Sequence, residues 1–160
     1  MEHEGLDRFD HAILDIISSN GRITVTDLAR EIGLSKSPCQ VRLRRLEAEG
    51  YIIGYRALLD PIKLGRNHIA FVEVKLTDTT ADALDAFNRA VLRIPEVEQC
   101  HMIAGGFDYL LKVRTSDMTA YRQVMGEKIS ALPYVSHTST YVAMEAVKDE
   151  AGTELYILNF

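Results

Sequence analysis

Residues 34–50 read as one helix with a marked start and stop, and the rest of the chain has to be arranged around it. Ser35 suits the N-cap, where its hydroxyl takes an orphan amide of the first turn. Pro38 falls inside that turn, where a missing N–H costs nothing. Gly50 supplies the left-handed residue that ends a helix. Between them Cys39, Leu43 and Leu46 recur on one buried face. The opposite face carries Lys36, Ser37, Gln40, Val41 and Arg44, with Arg42 and Arg45 on its flanks and no acid before Glu47.

Residues 26–33 form a shorter helix just upstream, with Thr26 as expected cap, Val25 as staple and Gly33 as stop. A short capped helix, a turn and a longer basic helix make a helix-turn-helix, whose second helix enters the DNA major groove. Amphipathic helix pairs occur in many small domains; the cationic cluster on the exposed side of the second helix is what points to DNA. Ser35, Lys36, Ser37, Gln40, Val41, Arg44 and Arg45 are the expected DNA contacts. Residues 6–19 add a first helix, capped by Asp7, burying Ile13, Ile16 and Ile17 and ending at Asn20-Gly21. Residues 51–59 read as a short β-ribbon broken by Gly54, with Arg56 within reach of a phosphate. Residues 1–60 are thus expected to be a winged DNA-binding domain.

The net charge of −5 opposes nucleic-acid binding unless positive charge is concentrated locally. Lys36, Arg42, Arg44, Arg45 and Arg56 meet that requirement. No apolar run approaches a membrane span, and the acidic first residues do not resemble a signal peptide, so a cytoplasmic protein without membrane contact is expected. Cys39 and Cys100 lie in different elements without ligand spacing, which predicts reduced core thiols and no metal.

Pro61 and Gly65 mark residues 61–67 as a linker. Residues 68–150 then follow a strand, helix, strand, strand, helix, strand order. The strand at 68–76 places Ala70, Val72, Val74 and Leu76 on one face. Thr80 caps a helix bearing Leu84, Phe87, Val91 and Ile94. Strands are expected at 97–104 and 107–114 around a Gly105-Gly106 turn. Asp117 caps a helix with Tyr121, Met125, Ile129 and Leu132, and 135–147 is the last strand. Both helices end alike, as Ile94-Pro95-Glu96-Val97 and Leu132-Pro133-Tyr134-Val135. Two β-α-β halves predict a ferredoxin-like βαββαβ domain, hence an α+β chain. Such a sheet has helices on one face only. Ile69, Phe71, Leu110 and Val142 make the other face too apolar for water, which predicts a partner sheet and a homodimer. The apolar end at 151–160 is read as a tail or an added edge strand.

Several segments resemble the leucine-responsive/asparagine-responsive (Lrp/AsnC) regulator family. They are residues 34–55, the stretch 100–112 (Cys-His-Met-Ile-Ala-Gly-Gly-Phe-Asp-Tyr-Leu-Leu-Lys), 117–122 and 138–145. The resemblance spans nearly the whole chain and is strongest toward leucine-responsive and proline-responsive members. It implies a transcription regulator that binds double-stranded DNA as a dimer, often assembled into octamers. It further implies a small amino acid held between C-terminal domains. The recognition helix carries over onto residues 35–45. The effector loop carries over onto Gly105, Gly106, Phe107, Asp108 and Tyr109, facing Thr138 and Thr140. Gly106 stands where the leucine-responsive protein has an acid, so proline is the first expected effector and leucine the second. No other cofactor is implied.

A catalytic reading would take His101 with Cys100 or Asp108, but no nucleophile–base–orienter set accompanies them. The five histidines are scattered. The chain is therefore expected not to be an enzyme. A constitutive or architectural DNA-binding protein, whose second domain only oligomerises, is the alternative.

Overall fold

A computed structural model of the chain describes residues 5–149. The tail or edge strand expected at 151–160 lies outside the described residues. The chain divides after Ala57, ahead of the Asp60-Pro61 punctuation.

The first unit holds three helices, α1 (Arg8–Ser19), α2 (Val25–Ile32) and α3 (Lys36–Ala48). Asp7 caps α1 through a reciprocal box in which its carboxylate accepts from Asp10 N and the Asp10 carboxylate accepts from Asp7 N. The cap of α2 is Thr24, not Thr26. Thr24 Oγ1 accepts from Asp27 N at 3.1 Å and donates to the Asp27 carboxylate at 2.6 Å, a Thr-x-x-Asp box that starts the helix two residues early. Gly33 ends α2 at φ 73°, the left-handed region where a side chain is strained. Ile13, Leu28, Cys39 and Leu46 are fully buried together; Ile16, Ile17 and Leu43 pack partly buried around them. The ribbon expected at 51–59 does not form, for the segment finds no strand partner among the described residues. Ile53 is 98 % exposed there. Tyr55 turns back instead and donates to Glu47 at 2.7 Å.

The second unit is built on a four-stranded antiparallel sheet in the order β2-β3-β1-β4, with β1 His68–Leu76, β2 Val97–Met102, β3 Tyr109–Thr115 and β4 Val135–Val142. Helices α4 (Ala81–Val91) and α5 (Met118–Val124) cover one face. Ala70, Val72, Val74 and Leu76 point at them with Phe87, Tyr109, Leu111, Val113 and Ile129. The helix expected to run on from Asp117 widens after Val124 into a π-type turn, closed by Ser130 N donating to Met125 O at 2.9 Å. The repeated Pro-x-Val ends are one structure used twice: Val97 N donates to Ile94 O and Val135 N to Leu132 O.

Three strand expectations change. Strand β2 stops at Met102 and β3 starts at Tyr109, so Phe107 and Asp108 belong to the loop. Val142 lies opposite Ala70 and therefore shares the helix face, not the open one. And β4 ends at Val142, not 147. Beyond it the chain crosses the open face until Asp149 pairs with Lys112 and Arg114 on β3. Both cations are buried, and Glu98 also holds them, at 3.5 and 2.6 Å. Buried charge needs such partners, which is why the chain leaves the ladder.

Candidate nucleic-acid interface and effector loop

Successive residues of α3 are turned by about 100°. Lys36, Ser37, Gln40, Val41 and Arg44 therefore share one side, with Ser35 at its end. All are exposed except half-buried Gln40, and Val41 reaches 69 %. Ser35 occupies the cap position without a side-chain bond to the first turn, leaving its hydroxyl available. Lys36 and Arg44 form no ion pair among the described residues. This surface offers bidentate donors, an amide and a methyl-bearing contact, the groups that read base edges in a major groove.

Arg42 and Arg45 turn the other way. Arg42 reaches Asp7 at 2.7 Å and Asp10 at 2.9 Å, and Arg45 reaches Asp10 at 2.6 Å. Asp10 is only 1 % exposed. Burial alone would raise its carboxyl, but the Asp7 N–H and the guanidinium groups of Arg45 and Arg42 outweigh that and hold it at about 2. Sequence reasoning assigned Arg45 to DNA; the structure ties it to α1. Asp10 was missed. Its signal was an acid at the one polar position of an apolar helix face, facing two arginines a turn apart.

The effector-loop residues are brought together only in part. Gly105 and Gly106 are exposed, and neither adopts the positive φ that would demand glycine. A Cβ on Gly106 would meet nothing within 4 Å. Phe107 is half-buried beside them. Asp108 is an anchor: its Oδ2 accepts the Leu76 N–H at 2.7 Å where a bulge breaks the β1–β4 register, and its Oδ1 sits 3.3 Å from Lys75 Nζ. Its main chain bonds to Val74 and Ile103 as well. Tyr109 belongs to the core, stacked on Phe87 at 4.3 Å and donating to Asn88 at 2.8 Å. Thr138 and Thr140 share the helix face as expected of one ligand wall, but Thr140 Oγ1 is engaged 2.5 Å from Tyr121 OH. Clefts of about 490 and 500 Å³ exist, one between β3 and α5 and one between α1 and α3, and neither takes a residue from this loop. His101 is exposed on β2, and among the described residues no group of three or more His, Cys, Asp or Glu is placed to hold a metal. No helix of the described residues is long and apolar enough to cross a membrane.

With this geometry in hand, residues 69–153 match the Lrp/AsnC ligand binding domain, and residues 6–53 match a winged helix-turn-helix DNA-binding domain. The chain is 62 % identical over 146 residues to the proline dehydrogenase transcriptional activator of Rhizobium radiobacter, covering 91 % of this chain and 94 % of that one. It is 47 % identical over 143 residues to the leucine-responsive regulatory protein of Escherichia coli K12, covering 89 % and 87 %. A transcriptional regulator of Neisseria meningitidis, solved as a complex with L-Met, superposes with a TM-score of 0.85 at 32 % identity, covering 90 % and 93 %.

Proposed function

The chain belongs to the Lrp/AsnC family of transcriptional regulators, which are not enzymes, and from that premise we propose how this member reads DNA and senses its effector. Binding of DNA by the first unit and of an amino acid by the second are properties of the family. The finer reading is that α3 lies in the major groove and that Ser35, Lys36, Ser37, Gln40, Val41 and Arg44 make its contacts. The observation that carries it is the uncompensated Lys36–Arg44 face of α3 in an otherwise acidic chain. Arg44 and Gln40 lie one turn apart and take base edges, Val41 takes a thymine methyl, and Lys36 takes a phosphate. Arg45 is left out of this set because Asp10 holds it.

The second unit senses a small amino acid at the 103–108 loop, between copies of the chain. In a single copy Gly105 and Gly106 stand exposed to solvent, which favours a homodimer completing the site, with an octamer of four dimers as the larger assembly. Proline is the first candidate effector: the R. radiobacter relative, named for activating proline dehydrogenase, is more similar than the leucine-responsive one. Gly106, open to solvent, is free of any role in the fold of one copy and so available to a ligand. Acting on chromosomal DNA, the protein works in the cytoplasm.

Band retardation on the protein's own upstream region, with Arg44→Ala beside wild type, tests the DNA half. Loss of one bidentate contact costs about 1–3 kcal/mol, and an unchanged site preference would refute the docking. Calorimetry with proline and leucine tests the other half. Proline is expected to bind more tightly, and heat from leucine alone would reverse the assignment.

A further inference from the structure

Asp10 stands outside every role given so far, yet it is the most buried acid of the DNA-binding unit and the polar link between α1 and α3. Its two oxygens are divided between two arginines of one helix flank, Oδ1 to Arg42 and Oδ2 to Arg45. Asp7 seconds the first of these pairs. Arg42 also lies over the Phe9 ring of α1 at 5.4 Å, and the shared core of the three helices is apolar, through Ile13, Leu28, Cys39 and Leu46. Apolar burial is nondirectional, so it tolerates rotation of α3 about its own axis. The charge-assisted hydrogen bond from Arg42 to Asp10 Oδ1 is directional, and with the Arg45 ion pair on Oδ2 one carboxylate ties residues 42 and 45 at once, so turning α3 breaks one contact or the other. A buried ion pair often adds little net stability, which leaves orientation as its contribution here.

The same arrangement removes charge. Of the four cations on α3, two are neutralised by Asp7 and Asp10, leaving Lys36 and Arg44 for the DNA. Nonspecific binding comes from phosphate neutralisation, so fewer free cations mean weaker attraction to random sequence. A cleft of about 500 Å³ lined by Asp7, Asp10, Pro38, Val41, Arg42 and Arg45 lies beside the clamp, and gives the arginines room to swing toward a duplex once released.

We propose that Asp10 is a positioning residue for DNA reading: by clamping Arg42 and Arg45 to α1 it sets the rotation of the recognition helix and, with Asp7, withholds two positive charges from the phosphates. This rests on α3 being the reading helix, and Arg44→Ala, tested above, examines that premise separately.

The test is fluorescence anisotropy of the full chain on two duplexes over a potassium chloride series, one bearing a site selected by the wild-type protein and one of scrambled sequence. Asp10→Asn should bind the scrambled duplex more tightly, with a salt slope steeper by about 1, for the released Arg45, while Asp7 still holds Arg42. Its preference for the selected site should narrow by about tenfold, the scale of one lost base contact. Adding Arg45→Gln to Asp10→Asn should bring the slope back by about 1 without restoring the preference. An Asp10→Asn protein with the wild-type slope overturns the proposal, whether its affinities are unchanged or fall equally on both duplexes. Should that variant not fold, Arg45→Gln alone decides. A wild-type slope with reduced preference supports the clamp, and a slope shallower by about 1 means that Arg45 already touches phosphate and overturns it.

Discussion

The Asp10 carboxyl titrates at about 2 in the folded chain against 3.8 for a free side chain. A depressed pKa means that the folded state holds the charged form more tightly. The stabilisation is therefore full above pH 4 and is lost as pH falls toward 2, amounting to about 2 kcal/mol. Asp7, Glu96, Asp117 and Asp149 are lowered as well and weaken in the same direction. Only the difference between wild type and Asp10→Asn isolates the one group. Urea unfolding followed by helical circular dichroism should show that difference at pH 6 and see it shrink by pH 2.5; a constant difference would mean that the charge is irrelevant. Asp108 is the second informative residue. Replacing it with Ala leaves the buried Leu76 N–H without an acceptor, at a cost of about 1–3 kcal/mol. Asp108→Asn keeps an oxygen for that N–H and loses only the Lys75 pair, so it should cost clearly less in the same unfolding experiment. Equal losses would show that the bond to Leu76 is not what anchors the loop.

At the scale of elements, helix faces and strand alternation were legible because burial imposes a period that composition exposes. Phe87 and Val91 on α4, and Ala70 to Leu76 on β1, sit where their spacing puts them. Caps were less legible, since Thr24 and Thr26 are equally good candidates until the partner is known. Asp27 decides for Thr24 by closing the box from the third helical position. Thr24→Ala should therefore cost about 1 kcal/mol of unfolding free energy while Thr26→Ala stays near zero, and the reverse order would move the cap back. The π-type turn after Val124 leaves no mark on hydrophobic spacing, because Met125 and Ile129 still face the core. The missing ribbon at 51–59 fails for another reason. Residue pattern marks a segment able to pair, while pairing needs a second strand, and the described residues supply none. On α3 the exposed side was legible because the helical period sets which residues face out. The partners of Asp108 and Tyr109 were not, because a loop acid and a strand tyrosine suit a ligand and a fold equally well, and the bonds to Leu76 N and Asn88 join residues far apart in sequence.

At the scale of the whole molecule, the open face of the sheet decides how copies meet. Phe71 and Tyr141 stand opposite each other on it, 37 % and 54 % exposed, beside half-buried Leu110, whereas Ile69 on the same face is already buried within one copy. The cations on that face, Lys112 and Arg114, are already compensated by Glu98 and Asp149. In the proposed homodimer a second copy meets an apolar strip beside these paired cations, with Glu73 on the same face next to Leu110, and a two-fold contact of strip against strip uses each residue twice. Fully burying a phenylalanine side chain is worth about 1.5–3 kcal/mol, and about a third of Phe71 is left to cover. Phe71→Lys, counted in both copies, should therefore remove about 1–2 kcal/mol of apolar burial, and each ammonium placed in the interface without a partner weakens association further. The helix-side core around Phe87 and Tyr109 lies on the other face and should remain intact. Light scattering at micromolar concentration should then find a dimer or larger for wild type and a monomer for Phe71→Lys, with equal circular dichroism. On the proposed site between copies, that monomer should also lose amino-acid binding although the substitution is not in the loop. A wild-type monomer would remove the sheet-face interface, and a monomeric Phe71→Lys protein that still binds the amino acid would place the whole effector site within one chain.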